Sequence, residues 1–312
     1  MKRDHPGAPH ALLDIRNVTR SFVTGTPVLD GVTFAMQREE VIALLGRNGS
    51  GKTTLVHIIM GMLFPDSGTV RVFGLSPTER PVEVKRRIGF VGDQQILPPK
   101  ATITELIALH RALFPTWDSQ LERMLLDRFA LAGHRQAIGK LSKGQAQQAA
   151  LLLAVCHRPE LLLLDEPAAG LDPVARREFL ETSIQLLNRE GTAILFSSHH
   201  MGDVERLGGR VLLLDRGSIQ LDHDLDVLRE AHCVVSIAKR EIAQSAQLSR
   251  IDGCVRVRAV HGDWHAVFRG APIDVQQRLR AALGDVHAHC VTVPLEELFI
   301  EMVGGGREGV AP

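Results

Sequence analysis

The chain contains no tyrosine, and only 4% of its 312 residues are aromatic, 11 phenylalanines and 2 tryptophans. Any aromatic platform for a flat ligand must therefore come from Phe or Trp. Charge of either sign is not in excess: Lys plus Arg and Asp plus Glu both number 36. Without basic stretches, a nucleic-acid partner is not expected. The four cysteines, Cys156, Cys233, Cys254 and Cys290, form no C-x-x-C pair. That spacing argues against a redox or zinc pair and suits a reduced, cytoplasmic chain. No apolar stretch approaches the roughly 18 residues of a spanning helix, and Met1 to Gly7 has no apolar signal region. What is present, 45% hydrophobic and 23% charged residues, is enough for a large core and a small second domain.

Against this even background one segment stands out: Gly46-Arg47-Asn48-Gly49-Ser50-Gly51-Lys52-Thr53. It fits G-x-x-x-x-G-K-[ST], a loop whose glycines let backbone N–H groups turn inward onto phosphate oxygens. The apolar run Val41 to Leu45 before it predicts a buried strand. Thr54 to Met60 after it predicts a helix, whose N-terminus adds partial positive charge. Lys52 is expected to reach the β- and γ-phosphates and the Thr53 hydroxyl to bind Mg²⁺. A second apolar run, Leu161 to Leu164, ends in Asp165-Glu166. Four leucines in a row suit a central parallel strand buried on both faces. Asp165 would then emerge beside the Mg²⁺ site, with Glu166 placed to act on an attacking water as general base. A third run, Thr192 to Ser197, reads as the next parallel strand and delivers Ser197-Ser198-His199 to the same edge.

Leu141-Ser142-Lys143-Gly144-Gln145 lies between the loop and the carboxylate strand, and Gly170-Leu171-Asp172 follows that strand. In this order the motifs resemble those of the nucleotide-binding subunits of ABC transporters: P-loop, Q-loop, LSGGQ signature, Walker B strand, D-loop and H-loop. The resemblance covers about Leu12 to Leu221 and implies an α/β fold of the P-loop NTPase type. With it come an antiparallel β subdomain and a helical subdomain at about 95–158. It implies an ATPase using ATP and Mg²⁺, with Glu166 and His199 as catalytic residues and Thr53 and Asp165 at the metal. Gly46, Arg47, Asn48, Gly49, Ser50, Gly51, Lys52, Thr53 and Thr54 would hold the nucleotide. Phe22, where the family commonly has Tyr, would stack on adenine, keeping the π face without the hydroxyl. Ser142, Lys143, Gly144 and Gln145 form the signature, with Lys143 where the family usually has Gly. Ser142 and Gly144 would contact ATP held by the opposite subunit, and Asp172 would cross between the two sites. The Q-loop position falls on Asp93 or on Gln94, either of which could supply an oxygen to Mg²⁺. His200 has no such role and reads as ordinary surface.

One P-loop and one signature per chain imply a dimer, either a homodimer or a pair with a related ATPase subunit. The resemblance also implies a separate integral-membrane permease and a peripheral location on the inner face of the membrane. Between the Q-loop and the signature, apolar residues at helical spacing predict two helices within Thr102–Leu131, broken at Pro115 and Trp117-Asp118. There Phe114 and Trp117 are candidate permease contacts.

The resemblance fades after Leu221. A small α+β domain is expected over 222–303, with strands at Cys233–Ala238, Cys254–Val260, Trp264–Phe268 and Val286–Val293, and a helix at Asp274–Leu283. Leu295 to Val303 reads as a short amphipathic helix, and residues 1–11 and 304–312 as loose tails. The Leu295-Glu296-Glu297-Leu298-Phe299 ending, Lys143 and Pro115-Thr116-Trp117-Asp118 resemble the ATPase subunits of ABC-2-type exporters.

Overall fold

A computed structural model of the chain describes residues 11–23, 25–93, 97–131, 133, 136–242 and 244–292, with the backbone alone at 173 and 184–190. The chain divides into two compact units, Met1–Asp222 and His223–Pro312.

In the first unit the strands are β1 (Leu13–Val23), β2 (Thr26–Met36), β3 (Val41–Leu45), β4 (Ser67–Val72), β5 (Ile88–Val91), β6 (Leu161–Asp165), β7 (Ala193–Ser198), β8 (Arg210–Asp215) and β9 (Ser218–Asp224). Its helices are α1 (Lys52–Ile59), α2 (Pro81–Lys85), α3 (Ile103–Leu113), α4 (Ser119–Arg128), α5 (Lys143–Val155), α6 (Pro173–Glu190) and α7 (Met201–Leu207). Strands β2-β1-β4 form an antiparallel sheet, and β5-β6-β7-β3-β8-β9 form a second sheet of six. From β5 across to β8 that second sheet is parallel.

The parallel strands are short apolar runs because both their faces are covered. Leu161, Leu162, Leu163 and Leu164 are all buried, as are Ile42 to Leu45 and Ala193 to Ser198. Phe34, Phe179 and Phe196 are among the largest fully enclosed side chains. Each such side chain contributes roughly 1.5–3 kcal/mol by leaving water.

The break between the two predicted helices is a cap. Asp118 accepts from the N–H groups of Gln120 and Leu121 at 2.7 and 2.8 Å and starts α4. Thr102 starts α3 with a reciprocal capping box to Glu105. Phe114 stacks on the His157 ring at 4.3 Å, and Trp117 donates its indole N–H to the buried Glu122 carboxylate at 2.7 Å. Both aromatics are half-buried.

In the second unit, α8 (Leu225–Glu230) leads into β10 (His232–Ala238), α9 (Ser245–Ser249), β11 (Cys254–Val260), β12 (Asp263–Arg269), α10 (Pro272–Leu283) and β13 (Ala288–Thr292). The four strands form one antiparallel sheet in the order β11-β12-β10-β13. Cys233, Val235, Ile237, Ala266 and Phe268 pack with Leu248, Val275 and Leu279 from the helices. Helix α10 begins two residues earlier than its apolar pattern, because Pro272 sits at a first-turn position where a missing N–H costs nothing. The terminal helix expected at 295–303 and the tail at 304–312 lie outside the described residues, as do residues 1–10 of the N-terminal tail.

Candidate functional site

Register builds the site. Parallel pairing sets Leu45 of β3 beside Ser198 of β7, and Ser197 beside Asp165 of β6. Val91 of β5 pairs with Leu164, so Asp93 follows just beyond the same edge. Three strand ends therefore deliver the phosphate loop, the acidic pair and His199 to one carboxyl edge, where ligands of open α/β sheets bind.

The loop is shaped for an anion. Helix α1 starts at Lys52 with no side-chain cap and no acidic residue in its first turn, leaving its N-terminal N–H groups and partial positive charge available. Gly51 precedes it at φ 105°, and a Cβ there would lie 2.7 Å from Leu29 Cδ2 and 2.8 Å from the Val28 carbonyl. A Cβ on Gly46 would fall 2.4 Å from Ser50 Oγ. The Ser50 hydroxyl is buried without a hydrogen-bond partner, an orphan that a phosphate oxygen would satisfy.

A cavity of about 470 Å³ opens above the loop, lined by Asn48, Gly49, Gly51, Lys52, Thr53 and Thr54 together with Val28, Asp93, Glu166, Ala169 and His199. Lys52 is 6% exposed; its ammonium donates to the Gly46 carbonyl at 2.8 Å and lies 3.2 Å from Glu166 Oε1. The other oxygen of Glu166 lies 2.7 Å from His199 Nδ1. An ionised carboxylate only accepts, so in this contact His199 Nδ1 is the donor. Glu166 itself adopts φ 48°, a left-handed conformation that costs a non-glycine residue on the order of 1–3 kcal/mol. That turn carries its carboxylate off the strand line into the cavity.

One member of this group was not singled out by its sequence. Ser197, fully buried, donates to Asp165 Oδ1 at 2.6 Å and accepts the Glu166 N–H at 2.9 Å. It fixes both acidic residues at once. Only strand pairing could have found it, since a serine at a strand end carries no signal of which neighbour it faces. Replacing Ser197 with Ala leaves a buried carboxylate and a backbone N–H without their partner. We expect a loss of about 1.5–3 kcal/mol in unfolding free energy, read by urea titration, beside reduced ATP hydrolysis.

The remaining expected residues are elsewhere on the unit. Asp165 is buried beneath Ser197 rather than on the cavity wall. Phe22 stands at the end of β1, 57% exposed, with the Arg20 guanidinium 5.1 Å from its ring centre. Arg47 contributes its carbonyl, 3.3 Å from Lys52 Nζ. Ser142 caps α5 and forms a capping box with Gln145, at 3.2 and 3.0 Å. Gly144 approaches α6: a Cβ on it would lie 3.4 Å from Ala175 Cβ. The Lys143 ammonium lies over Gly170, where an added Cβ would meet it at 2.5 Å. Asp172 caps α6, accepting from Val174 and Ala175 at 3.0 Å each. None of Ser142 to Gln145 lines the cavity. Gln94 lies outside the described residues. His200 is exposed but also packs its ring on His199, 4.1 Å between centres, and burial followed by the Arg176 charge lowers its pKa.

A phosphate loop at the end of a parallel strand, with an acidic pair two strands away on the same carboxyl edge, defines a P-loop ATPase. Residues 29–169 match the family model described as ABC transporter. The chain is 32% identical over 296 residues to the ABC transporter ATP-binding protein YtrB of Bacillus subtilis, spanning 95% of this chain and 99% of that one. It is 29% identical over 301 residues to the Nod factor export ATP-binding protein I of Burkholderia lata, spanning 95% and 98%. A solved ATP-binding subunit of an ABC transporter superposes with a TM-score of 0.63 at 29% identity, covering 70% of this chain and 92% of the other. The chain belongs to the ATP-binding proteins of ABC transporters, and its activity is ATP hydrolysis coupled to transport.

Proposed function

We propose that the chain is the ATPase of an exporter, working from the cytoplasmic face through a separate multi-span permease. The observation that carries the catalytic part is the Glu166 carboxylate held between Lys52 and His199 above the phosphate loop. In this reading the loop N–H groups and Lys52 hold the phosphates, Glu166 takes a proton from the attacking water, and His199 orients that carboxylate and the terminal phosphate. Phe22 offers its exposed ring to adenine. Charge at the phosphates would be neutralised by magnesium when it is bound. The oxygen donors Thr53, Asp165 and Asp93 suit that hard cation, which needs only one or two carboxylates beside phosphate oxygens. Asp93, on the cavity wall, takes the Q-loop role here.

The separation of Ser142 and Gly144 from the cavity supports a two-copy arrangement. The signature of one chain would close on ATP held by the other, with Asp172 between the sites. A homodimer would have two competent sites. Residues 12–221 would form the nucleotide-binding domain, 95–158 its helical subdomain facing the permease, and 222–303 a small accessory domain. Among the described residues no helix is long and apolar enough to cross a membrane. The export direction is supported by the Nod factor export relative, which matches nearly end to end.

Affinity purification of the tagged chain from membranes solubilised in mild detergent tests this. A multi-span protein in near-equal amount is expected. Recovery of ribosomes or nucleic acid instead would overturn the transport reading.

A further inference from the structure

Beside the catalytic edge runs a set of polar links that the reading above does not use. The last residues of β7 face opposite sides of the sheet. Ser197 turns to Asp165, whereas Ser198 donates to Asp203 Oδ2 at 3.0 Å. The same Ser198 oxygen accepts the backbone N–H of His200 at 3.0 Å, closing the turn that carries His199. Asp203, in the first turn of α7, is 6% exposed.

A buried carboxylate is held by a matching fork: Arg176 donates Nε to Asp203 Oδ1 at 2.8 Å and Nη2 to Oδ2. Two parallel bonds fix orientation as well as distance, and burial protects them from screening by salt. The pairing raises the Arg176 pKa. Arg176 lies in the first turn of α6, its N–H bonded to the carbonyl of Asp172 at 2.9 Å. The links therefore run without a gap from the capping turn at Asp172, through Arg176, Asp203 and Ser198, to the backbone that presents His199 to Glu166.

We propose that Arg176 and Asp203 are positioning residues for ATP hydrolysis: their fork ties the first turn of α6 to the His199 turn and sets where the imidazole meets the Glu166 carboxylate. This rests on the reading that Glu166 and His199 act in hydrolysis. A mere tether between two helices would support stability without affecting the histidine.

The experiment uses the full chain with Mg-ATP and compares Asp203→Asn, Asp203→Glu, Arg176→Lys and His199→Ala. Asp203→Asn and Arg176→Lys, which remove the fork with little change of volume, are expected to lower kcat about 10- to 100-fold, the loss that a displacement of about 1 Å produces. KM should stay within about twofold, because the phosphate loop is untouched. Asp203→Glu should recover most of the rate. In ¹⁵N-histidine spectra, with the His199 signals assigned by their absence in His199→Ala, the wild type should show a proton held on Nδ1 and Asp203→Asn a mixture of states.

Unchanged kcat and unchanged His199 signals in Asp203→Asn would overturn the proposal, as would a lower unfolding midpoint with kinetics intact. If Asp203→Asn does not fold, Arg176→Lys decides by the same two readouts. A His199→Ala variant hydrolysing at the wild-type rate would overturn the underlying reading itself, whatever the pair does.

Discussion

Glu166→Gln should leave ATP binding intact and reduce phosphate release about 10²- to 10⁴-fold, the range that a positioned general base supplies. The amide has the volume of the carboxylate and can still meet His199, so the cavity keeps its shape. What it loses is the ability to accept a proton from water, together with the charge facing Lys52 at 3.2 Å. With the negative charge gone, Lys52 is free to turn wholly toward phosphate, so nucleotide affinity should hold or rise. Because the proposed two-copy state is opened only by hydrolysis, the variant should also elute as an ATP-dependent dimer while the wild type does not accumulate one. Phosphate release in stopped time courses and size exclusion with Mg-ATP check the two halves separately. Rapid turnover by Glu166→Gln would remove it as the main base. Slow turnover without dimerisation would leave the base assignment standing and remove the shared-site model.

The parts of this site that could be read from the chain alone are those whose chemistry is local. The loop from Gly46 to Thr53 declares itself because a tight glycine turn, a lysine and a hydroxyl must be adjacent to hold phosphates. The strands at Val41–Leu45 and Leu161–Asp165 are legible because doubly covered parallel strands leave no polar alternation to confuse them. Sequence order could not show sideways pairing. Ser197 lies 32 residues from Asp165 and Arg176 lies 27 from Asp203, and neither contact follows from any spacing rule. His200 illustrates the same limit: its neighbour's place on the carboxyl edge was legible, but not that its own ring would lie against that neighbour. The signature is the opposite case. Ser142 and Gln145 satisfy a simple helix-cap pattern, and within one chain that is the contact they make.

Lys52→Ala should strike binding where Glu166→Gln strikes chemistry. The ammonium is nearly sealed from solvent, donating to the Gly46 carbonyl and lying against the Glu166 carboxylate. It is therefore already desolvated and aimed along the loop, so contact with a phosphate requires little reorganisation. A charge-assisted hydrogen bond of this kind is worth about 1.5–3 kcal/mol, which corresponds to a dissociation constant roughly 10- to 150-fold weaker. Titration of a fluorescent ATP analogue in the presence of Mg²⁺ reads this directly. Lys52→Arg should not rescue it, since the planar fork is too large for a position 6% exposed. Removal of the cation also leaves Glu166 Oε1 with no counter-charge, so a modest fall in unfolding midpoint is expected; the nucleotide titration must be done well below it. Unchanged affinity in Lys52→Ala would mean that the loop does not carry the phosphates. Affinity lost in Lys52→Ala but kept in Glu166→Gln would separate the cradle that binds ATP from the carboxylate that turns it over, although the two side chains touch in the same cavity.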